Sequence, residues 1–493
     1  MMIKFFSRLT IFGLILGSTA LLAQAKPAPQ AAPAKAPAVV AAPAKPVEKP
    51  WYEKVEFSGF VDVNYMYNAN NKAGRNADVT GGLNTYNKQF SVAAVELDIE
   101  KVADKESPWG FRVDFQNGQN NPYQEVNFTA INGTSNMNLL QQAYVSFYFD
   151  VLKGLTVDVG KMATHIGYEV LESKDNLNYN VGYIFFNTVP FINTGARANL
   201  QMTDDWSLGL FVYNSVAGTG IDSTVAFNGA KNRYGDGENK NKAVGTQLSG
   251  TIIEGLLDIT WNTLYGIDGS SGRQSNVNTW GSEFTGIPLP PKQSGKNDYW
   301  LINNVIVELT PTDQLYFAFD YTQGEKSGAA GATFDGSAYK TPQSPTNGLS
   351  LFRDDETVKY TYRTYGVWAK YDFTEDFALA ARYERIDDSR NGTNLGNYPG
   401  AGRIGSNERL DLLNKERYEN QSVGGTAFGS GYRKQYLGSA QTFTITPTYY
   451  YGDNIIIKLD LRRDQAKGQQ FVNEKGQPSD HQNGATLGIV AKF

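Results

Sequence analysis

The sequence predicts an all-β fold: a transmembrane antiparallel up-and-down β-barrel of about 16 strands (range roughly 14–18), with short periplasmic turns and long extracellular loops. Three observations predict it. Apolar and polar residues alternate with a period of two, short and long connections alternate along the chain, and the last strand ends in Phe493. The mean hydropathy of −0.41 does not argue against membrane insertion, because only every second residue of such a strand faces lipid.

Sixteen segments carry the alternating pattern of β-strands. Most have the roughly nine to eleven residues that a tilted strand needs to cross a bilayer. In one of them, Phe377 and Leu379 share a face, whereas Arg382 and Glu384 lie on the other. The predicted strands are 55–67, 88–101, 109–117, 139–149, 154–162, 193–203, 205–214, 242–254, 256–265, 298–310, 313–323, 361–373, 376–387, 437–451, 454–464 and 484–493.

The connections between these segments alternate in length. Seven are short, namely "ADKESP", "DVLK", "TDD", "EG", "TPTD", "TED" and "GDN". The other eight are long and rich in Gly, Asn, Ser, Asp and Lys, such as 215–241, 266–297, 324–360 and 388–436. Long loops at one end and tight periplasmic turns at the other are typical of outer-membrane barrels. An even strand number places both chain ends in the periplasm.

A soluble β-sandwich would show the same periodicity, with its apolar face inward and its charges on the surface. A barrel in lipid reverses this arrangement, so its charges line a wet lumen. Aromatic residues near the strand ends favour the barrel, because an interfacial girdle belongs there; they are Trp109, Trp206, Phe373, Phe377, Tyr449 and Tyr451. In "GATLGIVAKF", Leu487, Ile489, Ala491 and Phe493 share one face, and we interpret Phe493 as the sorting signal read by the barrel-assembly machinery.

The N-terminus predicts export. Lys4 and Arg8 precede a short apolar run and "AQA", the pattern of a cleaved signal peptide over 1–25. Residues 26–54 form an Ala/Pro-rich periplasmic linker of extended character, which leaves a contact with peptidoglycan open, and 55–493 form the barrel. Cleavage changes the net charge from −5 to −7, because two positive charges are lost, and the chain has no cysteine. This negative net charge does not indicate a surface that binds nucleic acid.

Several stretches resemble a known family. "FSGFVDVNYMYN" (57–68), "FSVAAVELDIEK" (90–101) and "GFRVDF" (110–115) are similar to the start of the "putative β-barrel porin-2" family of OmpL-like proteins. The family's "GK…IGYE…E…DN.NY…PF..TG" segment is matched by Gly160, Lys161, Ile166, Gly167, Tyr168, Glu169, Asp175, Asn176, Asn178, Tyr179, Pro190, Phe191, Thr194 and Gly195. The resemblance implies an outer-membrane barrel with porin activity, and it implies no substrate and no catalytic residue.

Within this segment, His165, Glu169 and Glu172 have a spacing that on a helix would suit a divalent metal ion. Gly167 interrupts the spacing, and the second histidine, His481, lies far along the chain. A hydrolytic Ser/His pair is no better supported, because neither histidine lies on a regular strand beside a serine. We therefore predict no cofactor, no metal site and no enzymatic activity.

The leading hypothesis is passive diffusion of small hydrophilic solutes through a water-filled channel of the outer membrane. Acids exceed bases nine to six among the predicted lumen residues, which suggests a weak cation preference. Because burying charges in a dry core is costly, the placement of these residues on the inner face indicates a wet lumen. The predicted pore-lining residues are Asp62, Asn64, Glu96, Asp98, Arg112, Asp114, Asp158, Arg197, Asp258, Asp320, Lys370, Arg382, Glu384, Lys458, Asp460 and Arg462.

The third long connection, 160–195, combines polar residues with the apolar stretch "VGYIFFNTVPF". We expect it to fold against the inner wall and to narrow the pore, because so apolar a segment would not stay in water. Its charged residues Glu169, Glu172, Lys174 and Asp175 are then expected near the opening. "ESKDNLNYN" is expected to form a helical turn capped by Ser173.

Other function classes receive less support. Residues 26–54 are too few and too proline-rich for a plug domain, which argues against an energised receptor for large chelates. A surface adhesin or structural protein with an incidental pore is the alternative, because the long loops offer material for binding host or partner molecules. Outer-membrane lipid is the expected environment in a Gram-negative-type bacterium, and the sequence leaves a homo-oligomer open.

Overall fold

A computed structural model of the protein describes residues 50–69, 87–120, 140–214, 216, 242–266, 299–329, 357–387, 439–466, 471–472 and 478–493. The predicted signal peptide, residues 26–49 of the predicted linker and most of the four longest predicted loops lie outside the described residues.

Sixteen of the described strands pair in one closed antiparallel barrel, and two short ones form a separate two-stranded sheet. The predicted number of strands is confirmed. The barrel strands are β1 (Glu56–Asn68), β2 (Gln89–Lys101), β3 (Trp109–Asn117), β4 (Leu140–Phe149), β5 (Leu155–Ala163), β6 (Ile192–Gln201), β7 (Trp206–Tyr213), β8 (Ala243–Ile253), β9 (Leu257–Gly266), β10 (Tyr299–Thr312), β11 (Leu315–Ala329), β12 (Thr357–Asp372), β13 (Phe377–Asp387), β14 (Ser439–Tyr451), β15 (Ile455–Ala466) and β18 (His481–Lys492). The short pair is β16 (Phe471–Val472) and β17 (Pro478–Ser479).

The barrel closes by pairing its first and last strands. β1 pairs with both β2 and β18, whereas β15 pairs with β14 and β18. At the seam, the Gly59 amide donates to the Phe493 carbonyl oxygen at 3.1 Å, and the Phe493 amide donates to Gly59 at 3.0 Å. A Cβ on Gly59 would lie 2.7 Å from Cζ of the Phe493 ring. The glycine therefore leaves room for the terminal aromatic ring.

The two faces of the barrel wall differ as the alternation predicts. Val367 and Leu461 face outward and are exposed, whereas Glu384 and Asp460 face inward and are buried. Since polar residues lie inside and apolar residues outside, the soluble sandwich is excluded. The expected girdle aromatics Trp109, Phe373, Phe377, Tyr449 and Tyr451 are exposed, and Trp206 is half-buried.

The described N-terminal segment is attached to the end of the barrel that carries the short connections. Trp51–Lys54 form a 3₁₀ helix. The Trp51 ring lies 5.7 Å from that of Trp109, and Lys54 Nζ lies 3.7 Å from carboxylate oxygens of both Asp104 and Glu106. The last four residues of the predicted linker therefore pack on the barrel. No helix among the described residues is long and apolar enough to cross a membrane.

One α-helix, α1 (Tyr183–Thr188), lies in the connection between β5 and β6. This corrects the expected helical turn over "ESKDNLNYN". That stretch has turns and bends instead, and the Ser173 hydroxyl donates to Asp62 Oδ2 at 2.6 Å rather than capping a helix. The serine that the sequence predicts as a helix cap therefore donates its hydroxyl to a carboxylate on a barrel strand instead.

Candidate functional site

The inner loop (residues 164–191) connects β5 to β6 and lies inside the barrel. The His165 Nε2 group donates to the Thr263 carbonyl oxygen on β9 at 3.0 Å, and the Tyr179 hydroxyl donates to Asp62 Oδ1 on β1 at 2.6 Å. β1 and β9 lie on opposite sides of the closed barrel. The loop can reach both only by crossing the lumen.

Carboxylates of the barrel wall hold this loop by its backbone. Glu384 accepts hydrogen bonds from the amides of Tyr183 and Ile184, at 2.9 and 3.2 Å, at the start of α1. Asp460 and Asp320 accept hydrogen bonds from three further loop amides, at 2.7–3.0 Å. Charge-assisted hydrogen bonds of this kind are stronger than neutral ones. They satisfy loop amides that would otherwise be buried without a partner.

An ion-pair network joins the middle of the inner loop to β13. Arg382 Nη1 lies 2.5 Å from Glu169 Oε1, and Arg382 Nε lies 3.4 Å from Glu384 Oε2. The Gly182 amide donates to Glu169 Oε2 at 2.7 Å, and Trp368 Nε1 donates to Oε1 at 3.3 Å. Each partner is buried, so removing one would leave an uncompensated charge.

The apolar part of the inner loop is buried inside the barrel. Residues 183–186 ("YIFF") are all buried. Ile184 belongs to the largest apolar cluster together with Trp368, and the Phe185 ring stacks on that of Phe191 with centroids 4.9 Å apart. The lumen is therefore partly filled by a packed apolar core. The apolar residues of the loop are buried in this core, so they are not exposed to water in the channel.

His165 anchors the start of the loop. Its ring stacks on Phe211 with centroids 3.8 Å apart and planes inclined by 7°. Because Nε2 donates to a carbonyl oxygen, Nδ1 is free to accept from the Tyr213 hydroxyl at 3.3 Å. Burial lowers the pKa of His165 to about 4, so the imidazole is neutral at pH 7.

The residues considered for a metal site do not converge. His165 faces β7 and β9, Glu169 faces Arg382, and Glu172 accepts from Gln141 Nε2 at 2.6 Å. Within the described ranges, no group of three or more His, Cys, Asp or Glu side chains could hold a metal ion. His481 lies at the start of β18, with Nδ1 2.7 Å from Asp480.

Twelve of the sixteen predicted pore-lining residues are buried, and Arg112, Arg197, Asp258 and Lys370 are half-buried. The argument that these charges require a wet lumen is therefore wrong for those that hold the inner loop. Their burial is compensated by the loop amides, by Arg382 and by Lys458, whose ammonium group donates to the Ser173 carbonyl oxygen at 2.7 Å. The buried members are Asp62, Asn64, Glu96, Asp98, Asp114, Asp158, Asp320, Arg382, Glu384, Lys458, Asp460 and Arg462.

The four predicted constriction residues occupy different places. Glu169 is buried against Arg382, so its carboxylate is not exposed to the lumen. Glu172 is half-buried, and burial raises the pKa of its carboxyl group. Lys174 Nζ lies 2.5 Å from Asp175 Oδ2, and Asp175 is exposed.

Sequence reasoning missed several residues that the loop requires. Asn304 on β10 accepts from the Gly167 amide at 3.2 Å, and Trp368 on β12 reaches Glu169. Tyr179 packs over Gly488, where a Cβ would lie 2.1 Å from the Tyr179 ring. Strand parity could have placed Asn304 and Trp368 on the inner face, but no local signal reports which loop atom each one meets.

A family model described as "Putative beta-barrel porin-2, OmpL-like" matches residues 54–493. The chain belongs to this family. It is thus an outer-membrane β-barrel with porin architecture, as the resemblance of 57–68, 90–101 and 110–115 predicted. No curated protein matches the chain in sequence.

Solved outer-membrane proteins are similar to the chain in fold at low sequence identity. The outer membrane channel DcaP of Acinetobacter baumannii is 10% identical with a TM-score of 0.47, and the match covers 89% of this chain and 97% of the DcaP chain. The trimer form of OmpT of Vibrio cholerae is 9% identical with a TM-score of 0.46, at 89% and 99% coverage. OmpF of Salmonella typhi, solved in complex with daunomycin, is 12% identical with a TM-score of 0.45, at 89% and 97% coverage.

Proposed function

We propose that this porin is a narrow passive-diffusion channel for small hydrophilic solutes, with a weak preference for cations. The single observation that carries the proposal is the inner loop, which crosses the lumen between β1 and β9 without leaving the closed barrel. A barrel of this strand number encloses an aqueous channel unless its lumen is filled. The loop fills part of it, so the channel is expected to conduct less than an unobstructed barrel of sixteen strands.

The cation preference concerns the carboxyl groups around the lumen that accept no hydrogen bond from the backbone amides of the inner loop. Asp320, Glu384 and Asp460 are engaged by loop amides. Glu96 and Asp98 on β2 lie near Glu172 of the inner loop, and the ammonium group of Lys174 lies near both glutamates, so three carboxyl groups share one nearby cation. A local excess of negative charge raises the cation concentration in a narrow passage.

Planar-bilayer recording tests the proposal. The purified protein is reconstituted, single-channel conductance is measured, and the reversal potential is determined across a gradient of potassium chloride. Stepwise conductance with a modest preference for potassium is expected. Anion preference would overturn the ion selectivity, and absence of stepwise conductance would favour the adhesin alternative over a channel.

The ends of the chain carry proposals of their own. Cleavage after Ala25 would give a mature protein that starts at Lys26, which intact mass spectrometry measures.

The role of Phe493 as the sorting signal is tested by the variant Phe493→Ala, for which a reduced outer-membrane yield is expected. Cross-linking in outer-membrane preparations tests both a homo-oligomer and a peptidoglycan contact of the linker.

A further inference from the structure

Three arginines on the outer face of the barrel lie near the end of the wall opposite the short connections. This arginine band consists of Arg363 on β12, Arg385 on β13 and Arg463 on β15, and all three are exposed. Arg363 lies nine residues before Asp372, the last residue of β12, whereas Arg385 and Arg463 each lie eight residues after the first residue of their strands. Because these three strand ends adjoin short connections, the arginines lie at nearly the same height on the wall.

This height coincides with the far edge of the lipid-facing apolar surface. A barrel strand rises about 3.3 Å per residue and tilts by about 40°, so eight or nine residues correspond to roughly 20–23 Å along the barrel axis. The apolar surface of an outer-membrane barrel is about 25 Å tall. Below the arginines, the outward-facing residues of β13 and β15 are Phe377, Leu379, Ala381, Tyr383, Ile455, Ile457, Leu459 and Leu461. The arginine band therefore lies where the hydrocarbon of the membrane ends and the lipid headgroups begin.

The positive charge of the arginine band has no ionic partner in the described part of the chain. Arg463 Nη1 donates to the amide oxygen of Asn483 at 3.0 Å, and Arg363 lies opposite Asp387 in the strand register. No carboxylate oxygen of a described residue lies within 4.0 Å of any of the three guanidinium groups. The inward-facing arginines of the described strands differ, because each has a carboxylate partner. These pairs are Arg112–Asp114, Arg197–Asp158, Arg382–Glu169 and Arg462–Asp464.

Neutral polar and aromatic side chains lie between and below the arginines. Gln441 lies on β14, between β13 and β15, and its Nε2 donates to Gln465 Oε1 at 3.2 Å. The Tyr383 hydroxyl donates to Gln441 at 3.1 Å. Phe443 is 47% exposed and lies opposite Arg463 in the strand register. The outer wall here combines cations, amide groups and aromatic rings, which is typical of a protein surface at a membrane interface.

Phosphate groups of lipids suit this surface. A guanidinium group donates paired N–H groups to phosphate oxygens, and basic residues attract anionic lipid headgroups. In outer-membrane barrels the short turns face the periplasm, so the arginine band faces the outer leaflet, whose glycolipid carries phosphate groups. A second copy of the chain suits it less well, because a two-fold contact through this surface would bring like charges together.

We propose that Arg363, Arg385 and Arg463 bind the phosphate groups of the outer-leaflet glycolipid. The phosphate oxygens accept hydrogen bonds from the guanidinium groups, and the amides of Gln441 and Gln465 flank the headgroup. The acyl chains lie along the apolar outer face below. This site goes beyond the proposed channel function, because it lies on the face of the wall that is turned away from the lumen.

Native mass spectrometry of the protein in a non-ionic detergent tests the site. The probe is lipid A with two phosphate groups, and dephosphorylated lipid A with the same acyl chains is the matched probe. We expect the wild-type protein to bind the phosphorylated form more tightly. The variant Arg363→Gln/Arg385→Gln/Arg463→Gln is expected to raise the apparent Kd for lipid A at least about tenfold. The variant Arg363→Lys/Arg385→Lys/Arg463→Lys should bind more tightly than the glutamine variant, because it keeps the charge.

Lys105→Gln/Lys153→Gln/Lys242→Gln is the matched control, because it removes three exposed positive charges from other parts of the barrel. It should bind lipid A like the wild type. Heat-modifiable migration on gels confirms that each variant is folded. Equal binding of the two probes, or an unchanged affinity for lipid A in the folded glutamine variant, would overturn the site. Equal losses in the glutamine and control variants would overturn its location.

A contact between copies of the chain has a different signature. Wild-type oligomers that form without lipid A, bind none of it and are lost in the glutamine variant would overturn the lipid assignment. The titration measures bound lipid rather than current. Its outcome is therefore independent of stepwise conductance in planar bilayers, whose absence would overturn the proposed channel function instead.

Discussion

Arg382 on β13 and Glu169 in the inner loop form an ion pair with an N···O distance of 2.5 Å, and their side chains are 0% and 3% exposed. The pair joins residues 213 positions apart. It lies where the loop backbone turns into α1, because Glu169 also accepts from the Gly182 amide. It is the most deeply buried ionic contact between the loop and the wall among those described above.

Breaking this ion pair should release the inner loop. Arg382→Met leaves Glu169 and Glu384 buried without their cation, and such a loss costs about 3–5 kcal/mol. We expect a lower unfolding temperature and a higher, noisier single-channel conductance. Arg382→Met/Glu169→Gln should recover part of the stability, because the buried charge is removed with its partner. Equal conductance in wild type and Arg382→Met would contradict a locking role.

Deleting residues 168–188 should enlarge the channel. The deletion removes α1 and the backbone amides that donate hydrogen bonds to Asp320, Glu384 and Asp460. Single-channel conductance of a folded, heat-modifiable barrel is the measurement, and an increase is expected. An unchanged value would show that the loop does not narrow the ion path.

Gly488→Ala should disturb the inner loop at its contact with β18. The added Cβ would lie 2.1 Å from the Tyr179 ring, whose hydroxyl is fixed to Asp62. Overpacking of this kind costs about 1–3 kcal/mol. The matched control is Gly484→Ala on the same strand, where the nearest atom is a backbone oxygen 3.2 Å away. A conductance change in Gly488→Ala but not in Gly484→Ala is expected, and equal behaviour of the two variants would argue against the contact.

The inner loop should become less firmly held at acidic pH. Burial lowers the pKa of His165 from 6.5 to about 4, so the docked loop binds fewer protons than a released one between these values. Docking is thus fully stabilised by this group above pH 6.5, weakens as pH falls towards 4, and changes no further below it. Current noise recorded between pH 7 and 4 should increase in wild type. His165→Phe, which preserves the stacking on Phe211, should show a smaller change over the same window.

A charge on the outer face should prevent stable insertion. Val367 on β12 is 43% exposed on the outer face. Val367→Arg would place a guanidinium against lipid, at a cost of about 2–4 kcal/mol if the position lies near the membrane midplane. Refolding yield into lipid vesicles should fall, whereas Val367→Leu should refold like wild type. Equal yields for Arg and Leu would place this position outside the hydrocarbon layer.

The architecture was predictable because a barrel repeats a simple rule. Alternation along each strand and the alternating lengths of the connections determine the number of strands and the side of the wall on which Glu384 or Val367 lies. β11 and β12 nevertheless extend beyond the predicted 313–323 and 361–373. Their outer ends merge into polar loop sequence, where alternation no longer distinguishes strand from loop.

The interior was harder to predict, because its contacts join residues far apart in sequence. Period two placed Asp460 inside, but it could not say that Asp460 accepts loop amides instead of facing water. Ser173 shows the same limit. Its local sequence suits a helix cap, and the carboxylate that captures its hydroxyl lies 111 positions away.

The contacts of the inner loop join residues that are far apart in sequence, and this separation affects the order in which the protein assembles. The backbone amide of Tyr179 bonds to a carboxylate 281 positions later in the chain, and Lys458 reaches back 285 positions to residue 173. Contacts between such remote residues carry a high loop-closure cost. The loop is therefore synthesised long before its partners and can dock only once β13 to β15 have taken their places. We expect the barrel to pass through a wide-bore stage during its biogenesis, before the inner loop docks and narrows its channel.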